Sequence, residues 1–213
     1  MNSQIGVMLV DDHMVVRFGF KMLLDATPDI KVIAEADSGE AAYQQFIACK
    51  PDVIVMDISM AGTTGVEATR RIMARDKTAR VLALSSHEDP SYVRFMLKAG
   101  ALGYLSKRTA PDELILAIRQ VAAGRMYLDA NLSQRIALQD FSGDKNPVEI
   151  LTEREFGVFL ELAKGASVNQ IAERLNLSPR TVGTHLYNVK QKLGVANQAE
   201  LTLIAVRHGL IEL

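Results

Sequence analysis

Short apolar runs alternate with longer stretches of helical period from the first residues to about position 124. Ile5–Val10, Lys31–Ala36, Val53–Met56, Arg80–Leu84 and Ala101–Leu105 read as strands. Met14–Leu24, Gly39–Ala48, Thr64–Ala74, Ser91–Ala99 and Pro111–Ala123 read as helices between and after them. The runs are nearly continuous in Val, Ile, Leu and Met, as in parallel strands buried on both faces. Five strand–helix units with short connections predict a doubly wound α/β domain around a five-stranded parallel sheet. Pro111 suits a first helical turn and Gly124 a helix stop.

The alternation ends at Arg125. Residues 125–148 read as a linker: a possible short helix over Ala130–Leu138, then the turn formers of Phe141–Pro147. Strand signals are absent after it. Thr152 and Glu155 form a capping box, and helical period recurs over about 153–164, 168–175, 179–193 and 197–208. Residues 149–213 are therefore expected to form an all-α domain. Within it, Ser167–Leu175, Asn176-Leu177 and Ser178–Leu193 read as helix, tight turn and helix. Ser178 is the cap of the second helix and Pro179 its first residue. Ile171, Ala172 and Leu175 face Val182, Leu186, Val189 and Leu193 inward.

Composition narrows the class. The chain has 213 residues, a formal net charge of −1 and a single cysteine, Cys49. One cysteine excludes an internal disulfide and fits a reducing compartment. No apolar run is long enough to span a bilayer, and no basic-then-apolar leader opens the chain, so a cytoplasmic protein without a membrane partner is expected. The overall charge gives no sign of a nucleic-acid partner, so any such sign must be local.

Candidate chemistry gathers where apolar runs stop. Asp11 and Asp12 follow the first, Asp57 the third, Ser85 ends the fourth, and Lys107 lies just past the fifth. An Asp-Asp pair or a lone lysine after a strand is usually a solvated turn. What changes the reading is the ordered set at successive strand ends, which a parallel sheet would bring to one edge. Three adjacent carboxylates need a cation, and hard oxygen ligands select Mg²⁺ or Mn²⁺. Asp57 could then accept a phosphoryl group, with Lys107 pairing a phosphoryl oxygen and the Ser85 hydroxyl donating to it. No glycine-rich nucleotide-binding motif occurs.

Local charge appears in the second domain. From Ser178 to Leu193 there is no acid, and Arg180, Thr181, Gly183, Thr184, His185, Tyr187, Asn188, Lys190 and Lys192 are placed on the outer face. Such a helix fits the major groove of double-stranded DNA, its first turns reaching base edges and its cations meeting phosphates.

The motifs Val10-Asp-Asp-His13, Val55-Met-Asp-Ile-Ser-Met60, Leu84-Ser-Ser86 and Gly103-Tyr-Leu-Ser-Lys107 make residues 1–124 resemble the receiver domain of a bacterial response regulator. Leu151-Thr-Glu-Arg-Glu155, Gln170–Leu175, Leu177–Val182 and Lys192-Leu-Gly-Val195 resemble the LuxR-type helix-turn-helix of the NarL/FixJ family. The tail from Ala199 is similar to the GacA/UvrY subgroup. The resemblance implies a flavodoxin-like receiver and a transcription factor rather than an enzyme. Asp57 would be phosphorylated by a sensor histidine kinase. Asp11, Asp12, Asp57 and the Ser59 backbone carbonyl would hold the metal. Ser85 and Tyr104 would be the switch pair, with Tyr104 moving inward after phosphorylation, and Ser59 and His87 would tune the phosphoryl lifetime. Gly183, Thr184 and Tyr187 fall at base-contacting positions. Phosphorylation would unmask the recognition helix, favour a homodimer on promoter DNA and permit contact with RNA polymerase. Leu201, Ile204 and Ala205 suit either the dimer contact or the core. Two family prolines are replaced, by Ala61 and Arg108, so the Lys107–Arg108 bond should be trans. Two other classes compete: a phosphorylation-controlled module that binds proteins without DNA, and a phosphatase. The latter lacks a second acid two residues after Asp57, where Ser59 stands.

Overall fold

The computed structural model describes residues 4–86, 90–129, 132–134, 150–208 and 210–211. The chain divides into two compact units, Met1–Ser133 and Gln134–Leu213. The expected helix over Ala130–Leu138 and the turn-rich Phe141–Pro147 lie almost wholly outside the described residues.

The first unit alternates β1 (Ile5–Val10), α1 (Met14–Asp25), β2 (Ile30–Ala36), α2 (Gly39–Cys49), β3 (Val53–Asp57), α3 (Gly65–Arg75), β4 (Val81–Ser85), α4 (Pro90–Ala99), β5 (Gly103–Ser106), α5 (Pro111–Ala122) and β6 (Tyr127–Leu128). The sheet is parallel throughout, in the order β2-β1-β3-β4-β5-β6. It therefore has six strands, not the five expected. The sixth falls in the segment read as linker and pairs Tyr127 with Gly103 and Leu128 with Tyr104. A two-residue strand carries no alternation to read, and its partner is fixed only by the fold.

β1, β3, β4 and β5 are buried along almost their whole length because helices cover both faces. One set of alternating residues (Val7, Leu9, Val53, Val55, Leu82, Leu84, Leu105) packs with Leu24 of α1 and Leu114, Ala117, Ile118 and Val121 of α5. β2, at the edge, alternates buried and exposed residues in its first half. The chain reverses direction across the sheet between β1 and β3, and the crevice at such a reversal opens at the carboxyl ends of the strands. Asp11, Asp12 and Asp57 come from those two strand ends.

The second unit contains α6 (Glu153–Ala163), α7 (Val168–Arg174), α8 (Pro179–Leu193) and α9 (Gln198–Arg207). Its core joins Phe156, Val158 and Phe159 of α6 to Ile171, Val182, Val189, Leu201 and Ala205, all sealed from solvent. Thr152 and Ser167 close capping boxes, and Ser178 accepts from the Thr181 N–H with Pro179 in the first turn. Asn176 turns the chain between α7 and α8 with φ 51°, a left-handed conformation that Asn tolerates. Leu201 and Ala205 belong to the core of this unit, which removes two of the three residues considered for a dimer contact; Ile204 is partly buried and Leu203 is half exposed.

Candidate functional site

The carboxyl edge of the sheet collects the expected residues. Asp57 ends β3 and is 2% exposed; Asp11 follows β1 and is 4% exposed. Lys107 arrives from the end of β5, where its backbone N–H donates to the Ser85 carbonyl at 2.7 Å. Its ammonium donates to Asp11 Oδ2 at 2.6 Å and to Asp57 Oδ2 at 2.8 Å. The other Asp57 oxygen accepts from the Ser59 N–H at 3.3 Å, and the other Asp11 oxygen from the His13 N–H at 2.8 Å. Burial raises the Asp57 pKa, and the Lys107 charge opposes the rise without cancelling it. Burial works against the Lys107 ammonium, but Asp57 and Asp11 outweigh it and hold its pKa above the ordinary value.

Asp12 completes the set. Its Oδ2 accepts from the Ala61 N–H at 3.1 Å, while Oδ1 is shielded from solvent and accepts no hydrogen bond. His13 Nδ1 stands 2.8 Å from that oxygen but outside hydrogen-bonding geometry. Ligand atoms from Asp11, Asp12, His13 and Asp57 lie within 4.8 Å of one another.

Ser85 and Tyr104 are both fully buried beside this edge. Tyr104 occupies an interior position on β5. His87 lies outside the described residues. No cis peptide bond occurs among the described residues, so Lys107–Arg108 is trans as expected.

The acid-free helix α8 has a less uniform outer face than its sequence suggests. Arg180, Gly183, Thr184 and Tyr187 are exposed; Asn188 and Lys190 are partly so. Thr181 lies in the capping turn, its hydroxyl 2.8 Å from that of Ser178. Lys190 donates to the Ala196 carbonyl at 3.0 Å. His185 is partly buried, and burial pushes its pKa down. Lys192 donates to Glu155 Oε2 at 2.5 Å, pointing its ammonium to α6 rather than outward.

Residues 7–119 match the response regulator receiver domain model, and residues 149–205 match that of bacterial regulatory proteins of the LuxR family. The chain belongs to the LuxR-type response regulators. It is 41% identical to the response regulator UvrY of Escherichia coli K12 over 97% of this chain and 95% of that one. It is 37% identical to the response regulator GacA of Pseudomonas viridiflava, over 98% of each. Among solved structures, ChrA, the response regulator of a heme-sensing two-component system, covers 99% of this chain and 100% of its own at 34% identity, with a TM-score of 0.55. This response regulator is thus a two-component transcription factor of the NarL/FixJ family, in the GacA/UvrY subgroup, and not an enzyme.

One positioning residue escaped the sequence reading. A β-carbon on Gly65 would stand 2.0 Å from the Asp57 carbonyl oxygen, so α3 can start against the end of β3 only with glycine there. Its N–H donates to the Ile58 carbonyl at 2.9 Å. The available signal was a glycine inside a first helical turn directly after Thr64, which caps α3.

Proposed function

We propose that Asp57 is the phosphoacceptor of this response regulator and that its state controls DNA binding through α8. The observation that carries the reading is the buried Asp57 at the sheet's reversal point, held by Lys107 beside Asp11 and Asp12. A carboxylate oxygen of Asp57 attacks the phosphorus carried by a histidine of a sensor kinase. The new O–P bond forms as the P–N bond breaks, and the imidazole leaves and takes up a proton. Lys107 and the Ser59 N–H oppose the pull of burial on Asp57 and so favour its ionised, nucleophilic form. Lys107 then transfers its contact from Asp57 to a phosphoryl oxygen, and the Ser85 hydroxyl donates to another.

The donor set suits Mg²⁺ or Mn²⁺: carboxylates with an Asp12 oxygen that is shielded yet accepts no hydrogen bond. Asp11, Asp12, Asp57 and the Ser59 carbonyl would hold the ion. When bound, it neutralises charge on the transferring phosphoryl group. His13 is an unsuitable ligand for so hard an ion, and its first role is to start α1.

For DNA, Gly183, Thr184 and Tyr187 face base edges while Arg180 and Lys190 meet phosphates. A symmetric dimer on a two-fold promoter site is the assembly such a helix serves, with RNA polymerase as the downstream partner. The first unit, with β6 as part of its sheet, acts as receiver and residues 149–213 as the DNA-binding domain, in the cytoplasm. Footprinting on genomic DNA with and without beryllofluoride and Mg²⁺ tests the switch. Protection of discrete sites that strengthens with the phosphoryl mimic supports the reading, and identical footprints with wild type and Asp57→Ala under both conditions sink it.

A further inference from the structure

The end of α8 is tied to the start of α6 by one ion pair. Glu155 is the third residue of α6 and only 4% exposed. One of its oxygens, Oε2, accepts both the Thr152 N–H at 2.8 Å and the Lys192 ammonium at 2.5 Å. The Thr152 hydroxyl accepts from the Glu155 N–H in return, so the carboxylate cannot swing away without opening the capping box. Burial works against its charge, but the Lys192 and Thr152 contacts outweigh burial and lower its pKa. Lys192 lies in the last turn of α8 and Glu155 in the first turn of α6, each at the helix end that favours its charge. Among the described residues no other ion pair joins α6 to α8.

We infer that Lys192 is a positioning residue that sets the angle of the recognition helix through Glu155, and not a contact to a DNA phosphate. The inference rests on α8 being the DNA-reading helix. A cation pulled back onto a buried carboxylate neutralises that carboxylate, so it releases no counterion on DNA binding. Arg180 and Lys190 remain as the cations of α8 that do.

The two roles leave different marks on salt dependence, because each phosphate contact adds about 0.9 to the slope of log K against log salt. The full-length protein, with beryllofluoride and Mg²⁺, is titrated onto a fragment that it has itself enriched from random duplex DNA. Wild type, Lys192→Met, Glu155→Gln, the double variant and Arg180→Ala are compared at several salt concentrations. Lys192→Met and Glu155→Gln should each weaken binding by about tenfold at every salt concentration, with the slope unchanged and the double variant no worse than either single one. Arg180→Ala should lower the slope by about 0.9. The inference is overturned if Lys192→Met lowers the slope by that amount while Glu155→Gln leaves it alone, or if affinity is unaffected by both. Should Lys192→Met not fold, Glu155→Gln decides alone: wild-type affinity and slope in that variant overturn the inference. If wild type enriches no fragment, it is the DNA-binding reading that has failed.

Discussion

Lys107 donates to Asp57 at 2.8 Å, and the two residues come from strand ends separated by β4. The same ammonium holds Asp11 at 2.6 Å, so one side chain balances two buried carboxylates. Replacing Lys107 with Met should therefore do two things. Asp57 loses the charge that opposes burial, and under the proposed role a phosphoryl group there loses a cationic donor. A hydrogen bond to a charged group is worth roughly 1.5–3 kcal/mol, so phosphorylation by acetyl phosphate should slow by about 10- to 100-fold. Single-turnover rates for Lys107→Met within twofold of wild type would count against the arrangement.

Two glycines on helices should respond to alanine in opposite directions. At Gly65 a β-carbon would meet the Asp57 carbonyl oxygen at 2.0 Å, and backbone must move. Gly65→Ala should destabilise the receiver by about 1–3 kcal/mol and slow phosphorylation of Asp57. At Gly183 nothing lies within 4 Å, the residue is exposed, and α8 continues on both sides. Gly183→Ala should stabilise the second unit by about 0.5–1 kcal/mol through helix propensity. Urea unfolding of each variant checks the signs; the same sign at both positions would refute the account.

Gly103 permits the sixth strand. A β-carbon there would meet the Tyr127 carbonyl oxygen at 2.9 Å, as well as the flexible end of Leu82 at 2.8 Å. The Tyr127 N–H donates to the Leu102 carbonyl at 3.0 Å, and Tyr127 is further held by its hydroxyl bond to Glu113 at 3.0 Å. Burial and the Glu113 charge push the Tyr127 pKa up to about 12, so the hydroxyl stays a donor at neutral pH. Gly103→Ala should separate β6 from β5 while leaving β1 and β3 paired. Hydrogen exchange at the Tyr127 amide should accelerate by about tenfold or more, with little change in β3. An unchanged Tyr127 amide would show that the strand tolerates the methyl group.

What could be read from the sequence depended on how local each signal was. The strand ends carrying Asp11, Asp12, Asp57, Ser85 and Lys107 were legible because buried parallel strands announce themselves as apolar runs, and their ends must share an edge. The caps Thr152 and Ser178 were legible because their partners sit three residues away. β6 was not, since two residues have no period and pairing is settled across the sheet. The direction of Lys192 was not, since its carboxylate lies 37 residues upstream. Helical spacing put it on an outer face, but a lysine stem is long enough to return to a neighbouring helix. Leu201 and Ala205 show the same limit: an apolar stripe on α9 fits a dimer contact or a core, and only packing decides.

The Glu155 carboxylate gives the second unit a pH signature whose sign follows from its environment. Its folded pKa lies below the ordinary 4.5 because the Lys192 and Thr152 contacts outweigh burial. The unfolded chain therefore binds this proton more tightly than the folded one. The stabilisation is fully present above the unfolded value and is lost as the pH falls through the folded one. Glu155→Gln keeps the shape and most hydrogen bonds but has no charge to titrate. Lys192 is more than a third exposed, so solvent screens the pair and the loss at pH 7 should be about 1 kcal/mol or less. The thermal midpoint of the second unit's transition should be lower for Glu155→Gln than for wild type at pH 7. The gap should close as the pH falls below the ordinary 4.5 and through the folded value, because wild type loses the contribution there and the variant has none to lose. Parallel midpoint curves across that range would show that Glu155 is not held ionised by Lys192.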